Sequence, residues 1–374
     1  MQNWWSLLTL TLLIIRRFFL FIVKFDKQLA IFFHTILIIA LTAVSPSNLT
    51  PGLSVSLFGL EFSTYWLTLM VICSSLLAIL ALLRIETALK NFKLITLILF
   101  TAVISCAMFL RSNLLVMYLI FEASVVPIFL VITGWGYQPE RLSASLALFF
   151  YTVVCSIPLF LLLVIVLKYY GSISWTYFFV QNSLGQEINF YLIRAIFLSA
   201  FLVKMPMFGL HMWLPKAHVE APVYGSIILA SVILKLGGLG ITRVTPFARA
   251  DFLLVVVVVS GIGILIIRMF CVFLFDLKII VAYSSVAHMG VVIFSLARNF
   301  KLGVVRGLLI MIRHAFTSSI IFFGVTKIYL QTTRRRILLN SGNLVRDPKF
   351  SLIWLLARIA RMATPPLLNF FSEL

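Results

Sequence analysis

Apolar segments of about 20 residues, the length that a helix needs to cross the hydrocarbon core of a membrane, recur along the whole chain. Hydrophobic residues make up 62% and charged residues 11% of the 374 residues, whereas a soluble globular domain has about 25% charged residues. The sequence therefore predicts an all-α, polytopic transmembrane helix bundle. It excludes a soluble globular protein.

The alternation of apolar segments with polar or basic connections predicts about twelve helices in one membrane domain. Residues 1–93 contain the first three helices and a basic link, and residues 94–374 contain the others. Proline removes a backbone donor, so we expect broken helices near Pro206 and near Pro365-Pro366. A loop is expected over Ser45–Thr64, which is rich in proline and serine. The predicted helices are Trp5–Val23, Gln28–Val44, Tyr65–Leu83, Leu94–Leu110, Asn113–Thr133, Leu142–Leu167, one from Ile188 that is interrupted at Pro206, Pro222–Thr242, Phe252–Phe273, Asp276–Leu296, Gly303–Leu330 and one from Phe350 to the end.

The formal net charge of +19 is explained by membrane topology. In a soluble chain it would indicate nucleic-acid binding, but most basic residues lie in short connections, so no nucleic-acid partner is expected. The positive-inside rule favours an outward N-terminus, with the polar loop of Lys216, His218 and Glu220 on the matrix or cytoplasmic side. No signal peptide is evident, so we expect synthesis in a bacterium or inside an organelle.

Neither a disulfide nor a metal site is predicted. His211 and His218 lie seven residues apart without nearby cysteines, which does not match a metal-binding spacing. The cysteines lie within apolar segments without CxxC spacing and are interpreted as small packing residues. They are Cys73, Cys106, Cys155 and Cys271.

Two lysines, Lys204 and Lys235, interrupt otherwise apolar segments. At a rise of about 1.5 Å per residue, Lys204 lies about 16 Å before Pro215 and Lys235 about 20 Å beyond Pro222. Both are then near the middle of the membrane, where a charged side chain is costly and usually functional. Pro206 should break the helix beside Lys204, and such a break is tolerated only where protein or a water-filled cavity covers it.

Other ionisable residues share this depth. Glu122 is the one acid deep within the first eleven predicted helices, which indicates a proton-handling group or the partner of a lysine. The alternative is a protonated carboxyl that only hydrogen-bonds a neighbouring helix. His288 and His314 are also near mid-depth, as a proton relay or as ordinary core residues. Glu373 follows Pro365-Pro366 in a segment that should be broken.

Several segments resemble the antiporter-like subunits of respiratory complex I. The most specific are FLVKMPMFGLHMWLPKAHVEAP at 201–222, ILKLGGLGITR at 233–243 and DLKIIVAYSSVAHMG at 276–290. LIFEASVVPIFLVITGWGYQPER at 119–141 and HAFTSSIIFFG at 314–324 are similar to the same family. The resemblance covers residues 94–374, which would be the antiporter-like, proton-translocating part.

The resemblance implies a proton-pumping membrane-arm subunit of NADH:ubiquinone oxidoreductase, in the mitochondrial inner membrane rather than a bacterial plasma membrane. Glu122 and Lys204 would form the family's ion pair, and Glu373 would be its terminal acid. Protons would pass from Lys235 through His288 and then His314. NADH, FMN, iron–sulfur clusters and ubiquinone would be bound by other subunits, with none on this chain. Partners would be lipids and other membrane-arm subunits, including neighbouring antiporter-like ones.

The sequence departs from the family pattern at a few positions. Arg313 precedes His314 where the family has a small residue, and Arg268 lies deeper than the usual basic residue before the Asp-Leu-Lys motif. Ser372 replaces a glycine, and the chain ends after Glu373 where the family continues, so we expect a separate polypeptide to supply the further helices. Two alternative functions stay open: a subunit of a multisubunit cation/proton antiporter, and a structural scaffold with a vestigial pump axis.

Overall fold

The computed structural model describes residues 55–85, 92–111, 113–170, 190–245, 250–340, 342 and 347–362. Within these ranges the elements are helices, and an isolated bridge joins Asp276 to Arg336. Among the residues that the structure describes, seven helices are long and apolar enough to cross a membrane. The predicted all-α, multi-pass class is therefore confirmed. The first two predicted helices and the segment around Pro365-Pro366 lie outside the described residues.

The described elements are numbered here in chain order. They are α1 (Val55–Ile85), α2 (Phe92–Phe109), α3 (Leu114–Ala123), α4 (Val125–Trp135), α5 (Arg141–Tyr170), α6 (Phe190–Lys204), α7 (Trp213–Glu220), α8 (Val223–Ile228), a π-helical segment (Leu229–Ile233), α9 (Leu234–Val244), α10 (Ala250–Val272), α11 (Leu277–Ala297), α12 (Lys301–Thr332), a short 3₁₀ turn (Ile337–Leu339) and α13 (Pro348–Arg361).

Three boundaries differ from the sequence-based predictions. The loop expected to reach Thr64 ends earlier, because α1 begins at Val55 and serine within an apolar segment is only a weak helix breaker. The predicted helix Asn113–Thr133 is divided at Ser124, three residues before Pro127, which has no N–H for the Ala123 carbonyl. The polar loop around Lys216 is instead helix α7, since proline is tolerated in a first turn.

The segment formed by α8, the π-helical residues and α9 is the centre of the bundle. Its membrane-spanning stretch is 100% buried, compared with 28% for α10 and 33% for α5. Helices α5 and α10 therefore present apolar side chains outward, as lipid contact requires. The central segment can keep an ionisable side chain away from both lipid and water.

Helix α9 packs against the end of α6 through glycines. A Cβ added at Gly237 would lie 2.8 Å from the backbone nitrogen of Met205, and one at Gly240 would lie 2.1 Å from the ring of Phe201. Only glycine permits this approach without displacement of the neighbour. The contact brings the helix of Lys235 against the helix of Lys204.

Arg243 links the C-terminal end of α9 to α2 by hydrogen bonds. Its guanidinium donates hydrogen bonds to the carbonyl oxygen of Phe109 at 2.8 Å and to that of Arg111 at 3.0 Å. These carbonyls lie at the C-terminal end of α2, where intrahelical donors are missing and a cation is favourable. The clamp holds α9 beside the start of α3, the helix that carries Glu122.

Candidate proton-transfer site

Lys204 is the last residue of α6, and its position at a helix break is confirmed. The N–H of Met205 still bonds the Phe201 carbonyl at 2.9 Å, but Pro206 has no N–H and the chain turns away from the helix axis. The lysine side chain is fully buried. A buried ammonium needs nearby oxygen atoms or an opposite charge.

The partners of Lys204 come from the break between α3 and α4. Its Nζ atom lies 3.8 Å from Oε1 of Glu122 and donates a hydrogen bond to the Phe121 carbonyl oxygen. The same carbonyl accepts a bond from the Ser124 hydroxyl at 2.6 Å. At 3.8 Å the carboxylate is an ion-pair partner without a direct hydrogen bond. The geometry brings together the predicted Glu122–Lys204 pair and leaves it loosely engaged.

Lys235 lies directly after the π-helical segment and is also fully buried. Its Nζ atom donates to the carbonyl oxygen of Ala230, which belongs to that segment, and lies 3.0 Å from Nδ1 of His314. His314 is buried, and its Nε2 atom has no hydrogen-bond partner among the described residues. One ring nitrogen therefore contacts the lysine while the other points away from it.

His288 lies beyond His314, with ring centroids 6.0 Å apart. The expected proton route from Lys235 to His288 and then to His314 stays a prediction; the ring of His314 is in direct contact with the lysine. The reason is that α12 packs directly on the π-helical segment. Glu373 lies outside the described residues, and its role stays a prediction.

Arg361 is a neighbour of this site that the sequence analysis missed. It ends α13, its Nη2 atom donates to the Val281 carbonyl at 3.5 Å, and with Arg313 it lies close enough to act electrostatically on His314 and His288. Its position four residues before Pro365, beside the expected helix break, was the feature of the sequence that could have indicated it. The group formed by Lys235 and the two histidines therefore lies beside two arginine side chains, those of Arg361 and Arg313.

Comparisons with known proteins show the family of the chain. A family model described as NADH:quinone oxidoreductase/Mrp antiporter, transmembrane, matches residues 111–374. The chain belongs to this family. Curated relatives of the family named NADH-ubiquinone oxidoreductase chain 4 include the protein of Aedes aegypti, 42% identical over 69% of this chain and 57% of its own length. That of Ceratitis capitata is 37% identical, over 86% and 71% respectively.

The predicted resemblance to the antiporter-like subunits, and within them to subunit 4, is confirmed. A further relative with the same name, from Lumbricus terrestris, is 36% identical over 85% of this chain and 70% of its own length. Matches to these three relatives thus span 57% to 71% of their lengths. Four of the predicted site residues, Glu122, Lys204, Lys235 and His314, lie in direct pairs within the matched family region.

Proposed function

We propose that the chain is a membrane-arm subunit of a proton-pumping NADH:ubiquinone oxidoreductase. Protons would cross through an axis of Glu122, Lys204, Lys235, His314 and His288, with Glu373 as a further member. The observation that carries the proposal is two fully buried lysines, each at an irregular point of a helix and each beside a titratable side chain. The relatives are named as chains of NADH-ubiquinone oxidoreductase, and proton translocation would be coupled to that redox reaction.

Lys204 would take up and release the translocated proton, and Glu122 would control this exchange. In a dry site an ammonium is retained only while a counter-charge stays close. The 3.8 Å separation leaves room for the carboxylate to approach or withdraw. When it withdraws, the Nζ–H bond of Lys204 breaks and the proton leaves; when it returns, the amine takes up another proton.

Lys235 and His314 would pass the proton onward. The ammonium of Lys235 donates to Nδ1 of neutral His314, so that an Nζ–H bond breaks and an Nδ1–H bond forms. The resulting imidazolium releases its other proton from Nε2, in the direction of His288. A histidine can serve both steps because its two nitrogens act separately.

This function implies partners and a location. Other membrane-arm subunits, including neighbouring antiporter-like ones, would adjoin the chain, and lipids would contact the outward faces of α5 and α10. NADH, FMN, iron–sulfur clusters and ubiquinone would be used elsewhere in the complex, with no cofactor on this chain. The animal relatives support the mitochondrial inner membrane.

The test is the Lys204→Ala variant in the complex purified and reconstituted into vesicles. Protons translocated per NADH oxidised should fall, because the loading amine is gone. Lys216→Ala, at an exposed lysine of α7, is the matched control and should leave the ratio unchanged. An assembled Lys204→Ala complex with an unaltered ratio would refute the pump assignment and favour a scaffold with a vestigial axis.

A cation/proton antiporter subunit is the second candidate, since the description of the matched family covers both types of protein. The two differ in their partners. Co-purification of the native chain with flavin and iron–sulfur subunits supports the oxidoreductase. Sodium-driven proton exchange in vesicles without NADH, by a complex that lacks these subunits, supports the antiporter.

A further inference from the structure

The connections at one end of the bundle form a structured junction. Helices α10, α11 and α12 are long and apolar enough to cross a membrane, so the connections at their shared end lie at its surface. The N–H of Leu277 donates to the Arg335 carbonyl at 3.1 Å, and the N–H of Ile337 donates to the Phe275 carbonyl at 3.0 Å. The isolated bridge described above lies between these two bonds. The α10–α11 connection is therefore paired with the first part of the α12–α13 connection.

Three consecutive arginines follow α12 and are held in a defined arrangement. The side-chain amide of Asn340 donates to the carbonyl oxygens of Arg334 and Arg336, at 3.1 and 2.9 Å. In an extended segment successive side chains point in opposite directions. The guanidinium of Arg335 accordingly lies over the ring of Tyr329, 5.0 Å from its centroid, whereas Arg334 and Arg336 are exposed. Two guanidinium groups thus face outward from a rigid backbone.

The residues that follow the arginines are apolar and exposed. Ile337, Leu338 and Leu339, which form the 3₁₀ turn, are 43%, 78% and 50% exposed. On the paired connection, Phe275 is 62% exposed. These four side chains, together with Arg334 and Arg336, are called the junction patch below. Exposure of clustered apolar side chains to water is unfavourable, so an apolar surface must cover the patch.

The junction patch continues the outward apolar face of α10. Residues spaced three or four apart lie on one face of a helix. Exposed apolar residues follow this spacing along α10, at Ile262, Leu265, Met269 and Val272. Phe275 continues this row beyond the end of the helix, and its backbone bond to Ile337 brings the 3₁₀ turn beside it. Because the row faces lipid and the patch lies at the boundary between membrane and water, the covering surface is lipid.

The charges of the junction indicate which kind of lipid fits. Asp276 and Asp347 are the acids in the described part of the two connections, and Asp347 is already bonded to Lys327. The three arginines therefore leave an excess of positive charge. A guanidinium binds the oxygens of a phosphate in a planar fork, and basic clusters beside membrane-spanning helices attract anionic headgroups. A zwitterionic headgroup offers less attraction, because its own ammonium offsets the phosphate.

We infer that the junction patch binds an anionic phospholipid. Its phosphate lies on the guanidinium groups of Arg334 and Arg336, and its acyl chains lie on Phe275 and the side chains of the 3₁₀ turn. The bound lipid links the end of α12 to the membrane surface. This inference goes beyond the proposed function and does not depend on proton translocation, because it needs only a chain that crosses the membrane.

Photocrosslinking in the whole complex tests the site. The complex with Leu338→p-benzoylphenylalanine, at the most exposed position of the patch, is placed in nanodiscs of equal parts phosphatidylglycerol and phosphatidylcholine. Mass spectrometry then identifies the adducts. Phosphatidylglycerol adducts should predominate, because each arginine near the surface favours an anionic headgroup by about fivefold. Val154→p-benzoylphenylalanine, at an exposed apolar position of α5, is the matched control and should give equal yields of both lipids.

Substitution of the arginines tests the headgroup selection. Arg334→Gln combined with Arg336→Gln should bring the yields of the two lipids at position 338 to equality, whereas lysine at both positions should keep the preference. Arg298→Gln, at the opposite end of α11, should leave the preference unchanged. A preference that survives both glutamine substitutions overturns the inference.

The complex with native arginines decides by itself if the arginine variants do not assemble. Equal yields of the two lipids at position 338 overturn the selection of an anionic headgroup. Adducts with a peptide of another subunit show that protein covers the patch, and the absence of lipid adducts shows that water does. Either result overturns the inference and leaves the proposed function intact.

Discussion

The Nζ atom of Lys235 lies 3.0 Å from Nδ1 of His314, although 79 residues separate them along the chain. Both side chains are buried, so neither water nor a carboxylate is required for this contact. When two bases share one hydrogen bond in a buried site, the state with a single proton between them has the lowest free energy. Under the proposed function, a second incoming proton would displace the first at this pair.

Variants of this pair should be non-additive. Lys235→Gln and His314→Gln each remove one member of a common path, so each should abolish the translocation that depends on this subunit. The double variant should lose no more than either single one, because residues that act as a unit give non-additive effects. Proton uptake per NADH in reconstituted vesicles measures this. Additive, partial losses would mean that the two residues belong to separate paths.

Gly237→Ala should destabilise the contact between α6 and α9. The new Cβ would lie 2.8 Å from the Met205 backbone nitrogen, which cannot move without displacing the break beside Lys204. Overpacking of this kind costs about 1–3 kcal/mol. Thermal unfolding of the purified complex, followed by loss of this subunit, should occur at a lower temperature. Gly134→Ala is the control, because a Cβ there meets nothing within 4 Å; equal shifts in both variants would contradict the packing explanation.

Arg243→Gln should loosen α9 from α2. The carbonyls of Phe109 and Arg111 would lose their guanidinium donor, and an unsatisfied buried acceptor costs about 1–3 kcal/mol. We expect lower yield of assembled complex and faster proteolysis near residue 111. Arg298→Gln is the control, because Arg298 is exposed and its guanidinium lies over the ring of Phe294. A yield equal to that of Arg298→Gln would show that the clamp is dispensable.

The connection between α12 and α13 should respond to acid. Asp347 accepts from Lys327 at 3.0 Å and from Gln331 at 2.8 Å, and these bonds hold the pKa of its carboxyl below the ordinary value. Because the folded pKa is the lower one, the contact stabilises the connection above the unfolded pKa of about 3.9 and is lost as the pH falls through the folded value.

Hydrogen exchange at the Ser351 amide, which bonds the Asp347 carbonyl, measures this change. Exchange should accelerate on acidification in the native chain after correction for the intrinsic rate. Asp347→Asn should remove that pH dependence. The effect is expected to be small, since both charges are exposed to solvent. An unchanged profile in Asp347→Asn would assign the response to another group.

The parts of the site that the sequence predicted are those with a local chemical cause. Proline at 206 ends α6 whatever surrounds it, and lysines within apolar segments have few stable positions except the bundle interior. The division at Ser124 was missed because Pro127 lies inside an apolar run that could also have been kinked without breaking. The π-helical segment has no distinctive composition, since its residues fit an α-helix equally well.

Apart from the Glu122–Lys204 pair, which the family resemblance implied, contacts between distant helices could not be predicted from the chain alone. The spacing of His288 and His314 gave their depth but not their rotation about their helix axes, so the direct contact of His314 with Lys235 could not be predicted. His218 was assigned to a loop because Pro215 and two charged residues surround it. Its burial depends on Phe322, more than 100 residues later, and on Lys278 closing the end of α7.

The π-helical segment sets the angular phase of α9. Each residue of an α-helix turns by about 100°, and a π-helical turn accommodates one residue more than an α-helical turn. Side chains after Ile233 are therefore rotated by about 100° from the direction that a continuous helix from Val223 would give them. In this phase Lys235 meets His314 while Gly237 and Gly240 meet α6. Without the extra residue of the π-turn, Lys235 would point to another side of its helix and the two glycines would no longer face α6.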